Sequence, residues 1–125
     1  MNKILLLLIS FCLAFQANAE DVVYETEWMP SVELEYVLGE MNGNRLYPCY
    51  VEGRLNGIAI QYKGSFCPFP QGMNIYESRW GMSDDWYKAF KTEFESVGFI
   101  EHSHSLFTDL SGSQVHQATW VLNGQ

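Results

Sequence analysis

Histidines stand at positions 102, 104 and 116. Two histidines two apart on a strand point to the same side. A third from a neighbouring strand could then close a three-histidine zinc site with one open position for water. Register works against this reading. A turn near Gly112 puts His116 opposite residues 107–109, one or two residue pairs from His104, so His102, His104 and His116 are expected to face solvent rather than bind metal. Paired carboxylates occur at Glu33/Glu35 and Asp84-Asp85. Their spacing fits acid–base work, but it fits equally the wet face of a strand and the first turn of a helix, and the latter readings are adopted. The chain contains no G-x-S-x-G, no phosphate-binding glycine loop and no H-E-x-x-H.

Cysteines lie at 12, 49 and 67. Cys49 and Cys67 could be metal ligands, a nucleophile with a partner, or a disulfide. Neither has a second cysteine or a histidine close by, as a zinc site or an activated thiol would favour. The compartment decides the matter. Residues 1–19, MNKILLLLISFCLAFQANA, open with Lys3, continue as an apolar run over 4–15 too short to span a bilayer, and end on the small-x-small signal Ala17-Asn18-Ala19. This is the pattern of a cleaved signal peptide, which takes Cys12 with it. The expected mature chain, 20–125, is one domain exported to an oxidising compartment. Two cysteines remain, and they read as a disulfide worth about 3 kcal/mol.

Loss of Lys3 leaves six basic residues against fifteen acidic ones, a formal charge of −9. Such a surface repels nucleic acid and anionic membranes and favours a basic protein partner.

The elements that must position these groups follow from periodicity. Val32, Leu34, Tyr36 and Leu38 alternate with Glu33 and Glu35, the pattern of a half-buried strand. Asn42-Gly43 is then a hairpin turn, with Leu38 opposite Tyr47 and Tyr36 opposite Cys49. In that register Pro48 would break the ladder, so an edge position or a bulge is expected there. A second turn at Asn56-Gly57 sets Ile60 opposite Gly53 and Tyr62 opposite Val51. A bulge at Gly64-Ser65 would bring Cys67 round to Cys49. Strands are also expected over 22–28, 73–80, 99–107 and 115–122. Ser83 is a good N-cap, with Asp84 and Asp85 in the first turn. Trp86, Phe90, Phe94 and Val97 form an apolar stripe, and Gly98 ends the helix. The fold class is α+β: an antiparallel sheet of about six strands, one helix over about 84–97 packed on it, and one disulfide.

Two resemblances add to this reading. Residues 39–72, GEMNGNRLYPCYVEGRLNGIAIQYKGSFCPFPQG, resemble a single DM9-type repeat. Gly43, Tyr47, Cys49, Lys63, Gly64 and Cys67 occupy its places, with Lys63-Gly64 inverted and Tyr50 where an arginine is common. That likeness implies a carbohydrate-binding module, with Lys63 and nearby aromatics on the sugar. The whole chain is similar in type to the small periplasmic immunity proteins of type VI secretion, which block peptidoglycan-cleaving effectors, among them muramidase domains on VgrG spikes. This second likeness implies an inhibitor rather than an enzyme, with a cell-wall hydrolase as partner and a homodimer as one admissible assembly. No catalytic residue, metal or cofactor is assigned. The hairpin tip Glu40, Met41, Asn42, Gly43 and Asn44, with Asp84, Asp85 and Trp86 as a second patch, is expected to bind the partner.

Overall fold

The computed structural model describes residues 21–123, and the expected signal peptide lies outside them. The chain runs β1 (Tyr24–Glu25), α1 (Ser31–Gly43), β2 (Leu46–Asn56), β3 (Ala59–Pro68), β4 (Met73–Met82), α2 (Asp84–Ser96), β5 (Ile100–Thr108) and β6 (Gln114–Asn123). The six strands form two antiparallel sheets of three, ordered β1-β3-β2 and β4-β6-β5. The α+β class, the strand count, the second helix and the disulfide agree with expectation. The division into two sheets and the additional helix α1 do not follow from the sequence reading.

The region expected as a strand over 32–38 and a hairpin at Asn42-Gly43 is helix α1. Leu34, Val37, Leu38 and Met41 recur at i, i+3, i+4 and i+7, a helical stripe, and all four pack into one cluster with Val51, Tyr62 and Phe66. Leu34, the centre of that stripe, is only 1% exposed. The sequence is a poor autonomous helix, with two valines and an interior glycine, so packing on the sheet overrides propensity. Ser31 looks like a cap but does not serve as one: its Oγ accepts the Trp80 Nε1–H at 2.9 Å. Asn42 and Gly43 close the last helical turn. The reversal into β2 is made by Arg45 at φ 60°, with the Asn44 side-chain amide donating to the Glu40 carbonyl at 3.1 Å.

The β2–β3 hairpin turns at Gly57-Ile58, one residue later than expected, because Gly57 takes φ 67°. Gly53 therefore meets Tyr62, and Val51 meets Gly64. Each partner moves by two, so side chains between the turn and Tyr50 keep their expected face, whereas Tyr47, beyond the bulge, packs in a different cluster from Val51. The bulge falls on β2 between Pro48 and Tyr50 rather than at Gly64-Ser65. β2 is an edge strand, so both devices expected for Pro48 are present. The extra residue in the bulge is Cys49, which brings its Cα to 5.8 Å from that of Cys67.

α2 forms as its sequence dictates. Ser83 Oγ accepts the Trp86 N–H at 3.1 Å, and Gly98 follows the C-cap at φ 104°. Its buried face is rotated relative to expectation: Tyr87, Phe90 and Phe94 pack against Met82, Phe99, Ala118 and Trp120, while Trp86 and Val97 face outward. The sheets meet where β2 lies against β5 and β6. There Ser105 Oγ donates to the Val51 carbonyl at 2.6 Å, and Thr119 Oγ1 donates to the Pro48 carbonyl at 2.9 Å. Gly53 makes this approach possible, since a Cβ at that position would run into the Phe107 ring.

Candidate functional site

The three histidines do not share a face. β5 carries a bulge between Glu101 and Ser103. The extra residue, His102, reverses the side-chain alternation. His102 turns toward sheet β1-β3-β2, where its Nε2 lies 3.2 Å from the Tyr47 hydroxyl. His104 turns the other way, toward α2. His116 pairs with Leu106 and His104 with Ala118, so the two rings are diagonal neighbours. His104 Nε2 lies 2.8 Å from His116 Nδ1, and the rings are nearly coplanar. Tyr87 lies flat over both, with ring centroids at 4.4 and 4.6 Å. On its far side His116 Nε2 meets Asp84 Oδ1 at 2.5 Å. The expectation of solvent-facing histidines fits His102, which is exposed, and is corrected for the other two: His104 is half-buried and His116 is 7% exposed.

The partners constrain where the protons sit. The Asp84 carboxylate only accepts, so His116 Nε2 carries a hydrogen. In the neutral ring His116 Nδ1 then accepts from His104 Nε2–H, leaving His104 Nδ1 as the basic end. Burial lowers the His104 pKa, Glu101 opposes that shift, and His116 and Lys91 add to it. The Tyr87 hydroxyl donates to Glu101 Oε1 at 2.6 Å, and Lys91 Nζ reaches the same oxygen at 3.2 Å. The Tyr87 hydroxyl is pushed up to about 12, by burial first and then by the bond to Glu101. Asp84, His116 and His104 thus form a linear relay that pins the start of α2 to the sheet. Among the described residues, no group of three or more His, Cys, Asp and Glu side chains could hold a metal ion.

The residues expected to bind a partner fall into two places. Glu40, Met41, Asn42 and Gly43 form the end of α1, and Asn44 is its C-cap; they are not a hairpin tip. Met41 packs against the Leu34 cluster, while Glu40, Asn42, Gly43 and Asn44 are exposed. Asn42 lines a groove of about 360 Å³ with Leu38, Phe69, Ile75 and Tyr76. Asp84, Asp85 and Trp86 form the exposed first turn of α2. Trp86 stacks on Phe90 at 5.5 Å. Among the described residues, no contact joins α1 to α2, so the two patches are separate.

Lys63, proposed for sugar contact, lies 3.8 Å from Glu25 and 5.7 Å from the centre of the Trp28 ring. Arg54 lies 4.2 Å from the centre of the same ring.

Sequence reasoning missed the outer face of α1. Val32 is 70% exposed and Tyr36 69% exposed. The signal was present: they form an i, i+4 apolar pair out of phase with Leu34, Val37, Leu38 and Met41. Compared with known proteins, the chain matches no protein-family model, no curated protein and no solved structure.

Proposed function

We propose that the chain is a periplasmic immunity protein, an inhibitor that binds a basic, lysozyme-like peptidoglycan hydrolase and occludes its active-site cleft. The distribution of charge carries this reading. Between residues 21 and 44 stand six acids and no Lys or Arg, and all six acids are exposed. Of the six basic residues of 20–125, Lys88 is exposed on α2 and the other five contact rings or carboxylates. Arg45 lies over Phe69, Arg54 over Trp28, and Arg79 over Phe90 and Phe94, while Lys63 and Lys91 contact carboxylates. Acids therefore outnumber basic residues on the exposed surface around α1, where Arg45 and Lys63, the latter paired with Glu25, are the basic groups nearby.

Peptidoglycan is anionic, and an enzyme that binds it gains from a basic surface around its cleft. Opposite fields accelerate the encounter of inhibitor and enzyme and orient them before contact. The disulfide and the packed sheets keep the inhibitor rigid, so little ordering entropy is lost on binding. The exposed end of α1, at Glu40 and Asn42 to Asn44, and the start of α2, at Asp84 to Trp86, are the surfaces offered to the enzyme.

The test uses the mature chain and a purified basic muramidase from the reading frame adjacent to its own. Addition of the chain is expected to stop cell-wall lysis at a fixed molar ratio, with an association rate that falls as salt rises. Full lysis in a large excess of the chain would refute the proposal.

A further inference from the structure

Helix α1 has two apolar faces. At about 100° per residue, Val32, Tyr36, Gly39 and Gly43 fall within roughly 60° of one another. This stripe lies opposite the core stripe of Leu34, Val37, Leu38 and Met41. All four of its residues are exposed. Glu33 and Glu40 run along one flank and Glu35 along the other, also exposed. Among the described residues, none packs into a core cluster from this face. Val32 and Tyr36 leave large apolar surfaces in water, and nothing lies within 4 Å of where a Cβ would stand at Gly39 or Gly43. Neither glycine has a positive φ. Gly39, inside the helix, costs about 1 kcal/mol relative to alanine without serving the backbone.

We infer that this outer stripe of α1, continuous with its exposed end, is the anchoring part of the surface that meets the basic partner protein, with Tyr36 as the anchor and Gly39–Gly43 as a notch into which the partner's surface protrudes. The inference rests on the proposed function and names the surface that performs it. Charge selects the occupant. A second copy docking through the same stripe would set its acidic flanks against these, whereas a basic surface meets Glu33, Glu40 and Glu35 with opposite charge on both sides. Interface anchors are commonly aromatic residues surrounded by a polar rim, and Tyr36 between acidic flanks has that form. The glycines allow the partner to approach the helix backbone where any longer side chain would hold it off.

Affinity for the same muramidase is measured for the parent chain and four variants. Tyr36→Ala and Gly39→Gln are each expected to weaken binding about tenfold or more, as loss of an anchor does. Gly39→Ala is expected to raise the melting temperature of the free chain, which shows that the glycine is not required for folding. The double change Glu33→Lys with Glu40→Lys is expected to slow association about tenfold at low salt and much less at high salt. Circular dichroism and the melting temperature identify any variant that fails to fold. If the parent chain binds and inhibits the enzyme while Tyr36→Ala and Gly39→Gln stay within twofold of it, the surface assignment is overturned and the proposed function stands. If the parent chain does not bind, both fall. A dimer of the free chain that dissociates on Tyr36→Ala would assign the stripe to a second copy and overturn the basic partner.

Discussion

His116 is held from both sides, by Asp84 at 2.5 Å and by His104 at 2.8 Å, under the ring of Tyr87. One imidazole of the His104–His116 contact donates where the other accepts. The groups that face them are Asp84, Tyr87 and Lys91 from α2 and Glu101 from β5. His104 has a folded pKa below its ordinary value of 6.5, chiefly through burial. The unfolded chain therefore takes up a proton first as pH falls. The associated stability is complete above about pH 6.5 and is lost progressively below it. Thermal melts from pH 8 to pH 5 are expected to show a falling midpoint, and His104→Phe should flatten that fall. Tyr87 behaves oppositely in alkali. With its hydroxyl pushed up to about 12, its contribution is complete below about pH 10 and is lost as pH rises from there. Tyr87→Phe should remove this alkaline loss in the same melts. The nearness of His104 and His116 on adjacent strands was legible in the sequence, but their contacts with Asp84 and Tyr87 were not. The spacing of His102 and His104 places them on one face, and only the bulge at His102 separates them and leaves His104 beside His116.

At the scale of elements, the two helices contrast in how openly the sequence declares them. α2 carries its own punctuation, a capping serine, acids in the first turn and Gly98 after the last, and the sequence locates it almost to the residue. α1 has no side-chain cap, and its surplus apolar residues on the outer face turn a helical stripe into an apparent alternation. Val32, Leu34, Tyr36 and Leu38 fit a strand alternation, while only Leu34 and Leu38 of these belong to the helical stripe, and the choice between the patterns depends on contacts with β2 and β3 that no local pattern encodes. Mutagenesis separates the two readings. Leu34→Ala is expected to cost about 3 kcal/mol, while Tyr36→Ala should change stability by less than about 0.5 kcal/mol, read from urea midpoints. A half-buried strand would make both expensive. The hairpin of β2 and β3 was legible as a ribbon with a two-residue turn. Its register was not, because Asn56-Gly57 and Gly57-Ile58 both present a glycine able to take positive φ. Gly53 was silent in the sequence, yet Gly53→Ala should destabilise by about 1–3 kcal/mol through the clash with Phe107.

Across the whole molecule, the sequence yields the α+β class, the strand count and the cross-link, since these depend on composition and compartment. It does not yield two sheets rather than one, because that partition is set by pairings between distant residues such as Met73 with Asn123. Reduction of Cys49–Cys67 is expected to lower stability by about 3 kcal/mol, seen as a shift in the urea midpoint with and without reductant. The bond also has a mechanical consequence. It ties β2 to β3 at the end of the ribbon opposite the turn, with 18 residues of sequence separation between the sulfurs. A molecule stretched between its two ends would unravel both helices and the second sheet, yet this loop would never bear the load. About 60 Å of contour, at roughly 3.4 Å per residue, would stay hidden from the pulling force until a reductant cut the bond. A single-molecule extension trace should therefore lengthen by that increment when reductant is added.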